Sequence, residues 1–219
     1  MVDVIYRRRR RRNTHDMLGA ALGYAALGWP VCRGAAPSTA TGRSCDCDRL
    51  GCPDPAAHPV SQAWGLEATT DADTVRRWWE ATPGANIILP TGRVFDVFDV
   101  PAGAGVMALA RMGRAGVPTG PVAAVEAQRY LFFVATRSPA DEDEWWSCHL
   151  DCVPESISDT PGLRWHCRDS YVLGPPSRLP SGNHVAWIRA PRDSESPADL
   201  PDPIAVLDIL SDACEEFLP

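Results

Sequence analysis

The segment Phe95-Asp96-Val97-Phe98-Asp99-Val100 constrains this chain most, because it has the composition of a buried strand and carries two carboxylates. Phenylalanine and valine favour strands that pack on both faces. A buried carboxylate is costly unless it is paired, so in such a strand it usually binds a metal ion or takes part in a reaction. Asp96 and Asp99 are therefore the first candidate site residues.

The bulk composition is that of one globular domain with appendages. The chain has 219 residues, of which 45% are hydrophobic and 22% charged, and no apolar run reaches the length of a membrane span. The formal net charge of −7 is uneven, because residues 1–16 hold six arginines against two aspartates, which leaves −11 for the remainder. An acidic body disfavours strong, sequence-independent duplex binding, and we expect no membrane association.

The arginine run in residues 1–16 predicts a basic, disordered tail, because six adjacent like charges cannot be buried. Two alternatives are a nucleic-acid-binding arm and a true start at Met17. A signal peptide is disfavoured, because Asn13–Asp16 separates the arginines from the apolar stretch that follows. We therefore expect a cytoplasmic protein whose eight cysteines are reduced or bound to metal.

The rest of the chain, 17–219, alternates helical and strand patterns. Asp16 can cap a first helix, and Asp202-Pro203 can begin a closing one. The segments with strand character are NIIL, VFDVFDV, PVAAVEA, RYLFFVAT, YVLG and HVAWIRA. This mixture predicts an α+β domain with a mixed sheet and flanking helices.

A small Cys/His-rich loop, 45–59, carries the motif C-x-C-x4-C-x5-H through Cys45, Cys47, Cys52 and His58. Thiolate and imidazole are the ligands of structural zinc, and a loop without a core gains order from the metal. The alternative is a disordered loop with incidental cysteines. A more scattered set is a minor second candidate: Cys148, His149, Cys152, His166 and Cys167.

Several pieces, in this order, resemble the N-terminal domain of the bifunctional DNA primase/polymerases, in the archaeo-eukaryotic primase superfamily. They are ALGYAALGWPV, the Cys-rich loop ending in AAHP, ATTDADTVRRWWEATPGANIILPTG, RYLFFV and YVLGPPSRLPSG. The resemblance implies a primase/polymerase-like fold and a role in DNA replication. It also implies two Mg²⁺ or Mn²⁺ ions on a strand Asp-x-Asp pair plus a later carboxylate, and a histidine on the nucleotide phosphates.

The chain departs from that pattern at each catalytic position. Asp96 and Asp99 are three apart, so a regular strand points them to opposite faces, and Pro101 stands where a second carboxylate would share the face of Asp99. Unless a bulge realigns the strand, one carboxylate faces the site, and we expect it to be Asp99. The position of the family histidine holds Tyr130, and Asp169 is the nearest candidate for the third carboxylate.

Three contacts to a nucleotide are still expected from the resemblance and the chemistry of the side chains. Arg129 can hold a phosphate, Tyr130 can donate a hydrogen bond, and Ser177 in PPSRLPSG can contact phosphate, although such a segment is also an ordinary turn. Trp78-Trp79 and Trp145-Trp146 are predicted to pack in the core and not to stack on bases.

The sequence therefore predicts a primase/polymerase-like domain with a degenerate active site. It would bind nucleotide or single-stranded nucleic acid with lost or reduced activity, beside a structural zinc ion. The alternative is an active metal-dependent nucleotidyltransferase using Mg²⁺ or Mn²⁺ at Asp96 or Asp99. Either version would act with a separate helicase or replication protein, since nothing resembling a helicase domain follows the fold.

Overall fold

The computed structural model describes residues 16–38, 44–47, 49, 51–136, 155–156, 160, 162–192 and 197–218. Its helices are α1 (Met17–Ala26), α2 (Trp64–Glu67), α3 (Ala72–Ala81), α4 (Ala102–Ala115) and α5 (Pro203–Phe217), with a 3₁₀ turn at Pro197–Asp199. Its strands are β1 (Cys32–Gly34), β2 (Asn86–Pro90), β3 (Phe95–Pro101), β4 (Val122–Val125), β5 (Arg129–Ala135), β6 (Glu155–Ser156), β7 (Arg164–His166), β8 (Tyr171–Gly174) and β9 (Val185–Arg189).

The strands form two sheets, one in the order β1-β2-β8 and one in the order β6-β7-β3-β5-β4-β9. The predicted α+β class is confirmed, and the pairings between the described strands are antiparallel. Two predicted helix starts are also confirmed. Asp16 accepts a hydrogen bond from the Gly19 amide, and Asp202 accepts from the amides of Ile204 and Ala205.

Strand β3 lies inside the larger sheet, between β5 and β7. Its register with β5 runs from Phe95 opposite Ala135 to Pro101 opposite Arg129 without a shift. Every residue from Phe95 to Val100 is buried. The predicted buried strand is therefore present and regular, and it has two covered faces.

Each face of β3 contributes to a different core. Phe95 and Val97 belong to the core between the two sheets, where Trp29 lies 4.6 Å from the Phe95 ring centroid. Phe98 and Val100 belong to a second core, which α4 and α5 cover. Because side chains alternate between the two faces of a strand, the odd-numbered residues of β3 face the first core and the even-numbered residues face the second.

The adjacent tryptophans Trp78 and Trp79 divide between the core and its edge. Trp79 is buried, and its indole N–H donates to the Ala85 carbonyl at 3.0 Å. Trp78 is partly buried and packs under the Arg33 guanidinium, which lies 5.5 Å from its ring centroid. The core interpretation holds for this pair. Trp145-Trp146 and the basic tail up to residue 15 lie outside the described residues.

Gly92 joins β2 to β3 through a backbone conformation that disfavours other residues, with φ of +82°. A Cβ there would overlap the backbone of Arg168 in the turn between β7 and β8. Gly92→Ala is therefore expected to lower the free energy of unfolding by about 2–5 kcal/mol, from left-handed strain plus overpacking. Urea denaturation measures this.

Gly113 is the matched control, because it lies inside α4 and an added Cβ meets nothing within 4 Å. Gly113→Ala is expected to raise stability by up to about 1 kcal/mol through the higher helix propensity of alanine. Equal unfolding midpoints for the two variants would contradict the close approach at Gly92.

Candidate functional site

The Asp99 carboxylate is the centre of an ionic cluster on the inner face of the larger sheet. It is 6% exposed. The Arg129 side chain donates from Nε to Asp99 Oδ1 at 2.6 Å, and from Nη2 to the Asp99 carbonyl at 2.9 Å. The same Nη2 also donates to the Gly162 carbonyl at 2.8 Å. These charge-assisted hydrogen bonds hold the Arg129 side chain in place against the Asp99 carboxylate.

Two more basic side chains reach Asp99 from β7. Arg164 lies directly opposite Asp99 in the ladder, with Nη1 4.0 Å from Oδ2. His166 places Nε2 3.7 Å from the same oxygen. The side chain of Arg164 is 48% exposed, so one guanidinium of the cluster opens to solvent.

His166 is buried and has an unused ring nitrogen. Nδ1 lies 3.2 Å from the Ser170 hydroxyl oxygen, and Nε2 makes no hydrogen bond to the part of the chain that is described. We refer to Asp99, Arg129, Arg164 and His166 as the Asp99 cluster. With two guanidinium groups and one carboxylate it is electropositive, so it repels a divalent cation and attracts an anion.

Asp96 lies on the opposite face of β3, on the side of α4 and α5. It is 2% exposed, and Oδ1 has no hydrogen-bond partner among the residues described. Burial raises the pKa of Asp96 to about 7, although hydrogen bonds from Thr136, Trp165 and Gly92 oppose the shift. The unbroken register excludes a bulge that would bring Asp96 beside Asp99.

Tyr130 lies away from the Asp99 cluster, since it follows Arg129 on β5 and points to the other face. Its ring packs against α4, where a Cβ at Gly105 would overlap it. The suggestion that Tyr130 and Arg129 share one nucleotide pocket is not supported by this placement. The physical reason is strand alternation, which separates neighbouring residues between the two faces.

Ser177 is fully buried and engaged with the backbone of β2. Its hydroxyl accepts from the Ile87 amide at 2.9 Å and donates to the Ile87 carbonyl at 3.2 Å. The predicted phosphate contact would therefore compete with two structural hydrogen bonds. Asp169 lies in an exposed turn with φ of +59°.

The predicted zinc ligands Cys45, Cys47, Cys52 and His58 come together. Their ligand atoms all lie within 4.8 Å of one another, and they form the one such Cys/His/Asp/Glu group in the described part of the chain. Cys45 Sγ is 3.5 Å from His58 Nε2. A tetrahedral zinc ion bound at about 2.3 Å to sulfur and about 2.0 Å to nitrogen separates those atoms by about 3.5 Å. The donor set therefore fits zinc.

The histidine is already oriented for such a role. His58 Nδ1 lies 2.8 Å from the Pro59 carbonyl and can donate to it, which leaves Nε2 as the lone-pair nitrogen beside Cys45. The Ala56 amide donates to Cys45 Sγ at 3.3 Å.

The loop is also tied to the rest of the domain. The His58 carbonyl accepts from the Ala35 amide at 2.8 Å. The buried Asn86 amide donates at 2.8 Å both to the Ala56 carbonyl and to the Arg178 carbonyl. The Asn86 side chain of β2 thus joins the loop to the turn after β8. A metal ion bound in the loop would stabilise both the loop and its contact with that turn.

The second cysteine and histidine set is not assembled by the described residues. Cys148, His149 and Cys152 lie outside them. Cys167 is disulfide-bonded, so the expectation that every cysteine is reduced or bound to metal is wrong for this residue. His166 instead faces Asp99. Five described cysteines form no disulfide bond: Cys32, Cys45, Cys47, Cys52 and Cys214.

Sequence reasoning missed Arg164 and the contact of His166 with Asp99. The signal was present in the alternation of Arg164-Trp165-His166, which puts both basic side chains on one face of a short strand. The pairing of that strand with β3 could not be read from the sequence.

The scaffold is an α+β domain with two antiparallel sheets and a Cys/His cluster. The family described as "Bifunctional DNA primase/polymerase, N-terminal" matches residues 21–203, and the chain belongs to this family. A search of curated proteins finds no match. No helix in the described part of the chain is long and apolar enough to cross a bilayer.

Proposed function

We propose that this chain is a primase/polymerase domain that binds nucleotide or single-stranded nucleic acid through phosphate, with lost or reduced nucleotidyl transfer. The observation that carries the proposal is the ion pair between Asp99 and Arg129 at 2.6 Å. The Arg129 guanidinium on Oδ1, with Arg164 and His166 near Oδ2, competes with a divalent metal for the charge of this carboxylate.

The surroundings of Asp99 support phosphate binding in place of metal binding. Arg164 is half-exposed, and His166 lies on the same face with Nε2 3.7 Å from Asp99 Oδ2. Two guanidinium groups match the charge and the bidentate geometry of a phosphate. A nucleotide phosphate would bind Arg164 from solvent while Arg129 remains on Asp99.

Zinc is the proposed structural metal, held by Cys45, Cys47, Cys52 and His58. Bound zinc would supply structural cross-linking, because four protein ligands leave no open position for a substrate. We also propose the remaining organisation: a basic tail at 1–16, one domain over 17–219, a cytoplasmic location and a separate helicase or replication partner.

An active nucleotidyltransferase is the second candidate, because family membership favours it. It would require Asp99 to exchange Arg129 for a metal ion and a second carboxylate to reach the same face. A single Val97→Asp change is a poor source of one, because Val97 is fully buried and a carboxylate there would be desolvated opposite His166.

Primer-extension and de novo priming assays with Mg²⁺ or Mn²⁺ are expected to show little or no incorporation by the wild type. Nucleotide binding, measured by calorimetry, is expected to persist and to weaken about tenfold in Arg164→Ala through loss of one charge-assisted bond. Arg114→Ala is the control, because Arg114 is exposed at the end of α4.

Metal-dependent synthesis by the wild type that disappears in Asp99→Ala would refute the degenerate site and favour the active enzyme. Equal nucleotide affinity in the Arg164→Ala and Arg114→Ala variants would remove the phosphate site from the Asp99 cluster.

A further inference from the structure

A cleft of about 270 Å³ opens beside the predicted zinc loop, at the edge of the smaller sheet. Its walls include Trp64 of α2 and Tyr171 of β8, whose ring centroids are 5.2 Å apart at an angle of 74°. Both rings are partly exposed. Arg49 and Gln62 also line the cleft, and both are exposed.

The cleft is close in the chain to the Asp99 cluster. Tyr171 directly follows Ser170, whose hydroxyl lies 3.2 Å from His166 Nδ1. His166 in turn lies 3.7 Å from Asp99. On the other side of Trp64, the Arg93 guanidinium lies 4.0 Å from the Cβ position of Gly65. The segment from His166 to Tyr171 therefore joins the Asp99 cluster to the wall of the cleft.

We infer that this cleft binds one unstacked base of single-stranded nucleic acid. Aromatic faces stack on any base, and a guanidinium adds a cation–π contact and attracts the backbone. The Gln62 amide offers both a donor and an acceptor to a base edge. The Ser61 hydroxyl is already bonded to Glu67 and the Ala63 amide, so it is not assigned a role.

The size of the cleft selects a single base. Sites that enclose a whole small ligand have volumes of about 300–1,000 Å³, and this cleft lies just below that range. A base fits this volume, and the sugar and phosphates attached to it would extend outside the cleft. The inference rests on the proposed function in one respect: the phosphates attached to this base would continue toward Arg164.

A free nucleotide and a single strand both present a base, so the test compares them. The full chain is titrated with fluorescein-labelled oligothymidylate of about twelve nucleotides, with thymidine triphosphate as competitor. A second oligonucleotide carries 5-iododeoxyuridine for photocrosslinking and peptide mapping. The variants are Trp64→Leu and Arg49→Ala, and the controls are Trp78→Leu and Arg77→Ala on α3.

We expect the crosslink on the peptide of Trp64 or Tyr171. The oligonucleotide affinity should fall between about fivefold and a hundredfold in Trp64→Leu, and the controls should match the wild type. Thymidine triphosphate should compete weakly. Arg49→Ala should also weaken oligonucleotide binding. Because Arg49 is exposed, this variant tests the cleft even if Trp64→Leu proves unstable.

Oligonucleotide binding that is unchanged in both cleft variants, or a crosslink confined to other peptides, would overturn the base site and leave the proposed function intact. Competition by thymidine triphosphate at equal strength would reassign the cleft to a free nucleotide. Absence of both oligonucleotide and nucleotide binding by the wild type would overturn the proposed function and the base site together.

Discussion

Replacing both Cys45 and Cys47 with serine is expected to remove about one zinc ion per chain and to lower stability by several kcal/mol. Structural zinc contributes about 10–16 kcal/mol of apparent binding energy in small zinc-dependent folds. Here the loss is smaller, because two hydrophobic cores remain when the loop opens. Metal analysis of reduced, chelator-free protein and thermal unfolding measure the two effects.

Cys214→Ala is the control for the loss of a thiol, because Cys214 is a free, buried cysteine in the second core and not one of the clustered ligands. Its zinc content is expected to equal that of the wild type. Wild-type protein without zinc, or zinc retained by the double serine variant, would show that the four ligands do not bind the metal.

Asp96→Asn is expected to make the domain more stable at pH 8 and to abolish a pH dependence of the wild type. Because burial raises the folded-state pKa of Asp96 from 3.8 to about 7, the folded protein binds more protons than the unfolded chain between those values. The contribution of protonated Asp96 to stability is therefore fully present below about pH 4 and is lost as pH rises from there through 7.

The size of the Asp96 effect follows from the shift of about three pKa units, which corresponds to roughly 4 kcal/mol. Asparagine resembles the protonated acid and remains neutral, so the variant should keep most of that stability at pH 8. Denaturant unfolding from pH 5 to pH 8 measures how much the free energy of unfolding changes with pH, and the difference between wild type and variant gives the part due to Asp96.

Asp73→Asn is the matched control, because the Asp73 side chain is 80% exposed on α3. It is expected to show the wild-type slope across the same range. If Asp96→Asn has the same pH dependence as Asp73→Asn, the Asp96 carboxylate is not a source of the slope.

Local patterns predicted much of the architecture and one complete site. The alternation in Phe95–Val100 predicted a strand buried on both faces, and the spacing of Cys45, Cys47, Cys52 and His58 predicted their convergence. Both succeed for the same reason: the interacting residues are close in sequence, so strand geometry or a short loop limits where their side chains can lie.

The tail at residues 1–16 and the tryptophan pair 145–146 stay predictions. Membership of the primase/polymerase family was also predicted from the sequence, through the order of motifs over most of the chain, and the family match confirms it. The assignment of Tyr130 and Ser177 to nucleotide binding also stays a prediction. Tyr130 occupies the expected place in the chain but faces α4, and the Ser177 hydroxyl is bonded to Ile87.

The sequence by itself determined that Asp96 and Asp99 leave a regular strand on opposite faces, because backbone geometry has a period of two. Only the tertiary structure decided which side chains surround each carboxylate. The pairing of β3 with β5 and β7 brings Arg129, Arg164 and His166 to Asp99, and the packing of the α4 and α5 face buries Asp96. Those partners lie 30 or more residues from Asp99, and such distant contacts depend on how the sheet is ordered.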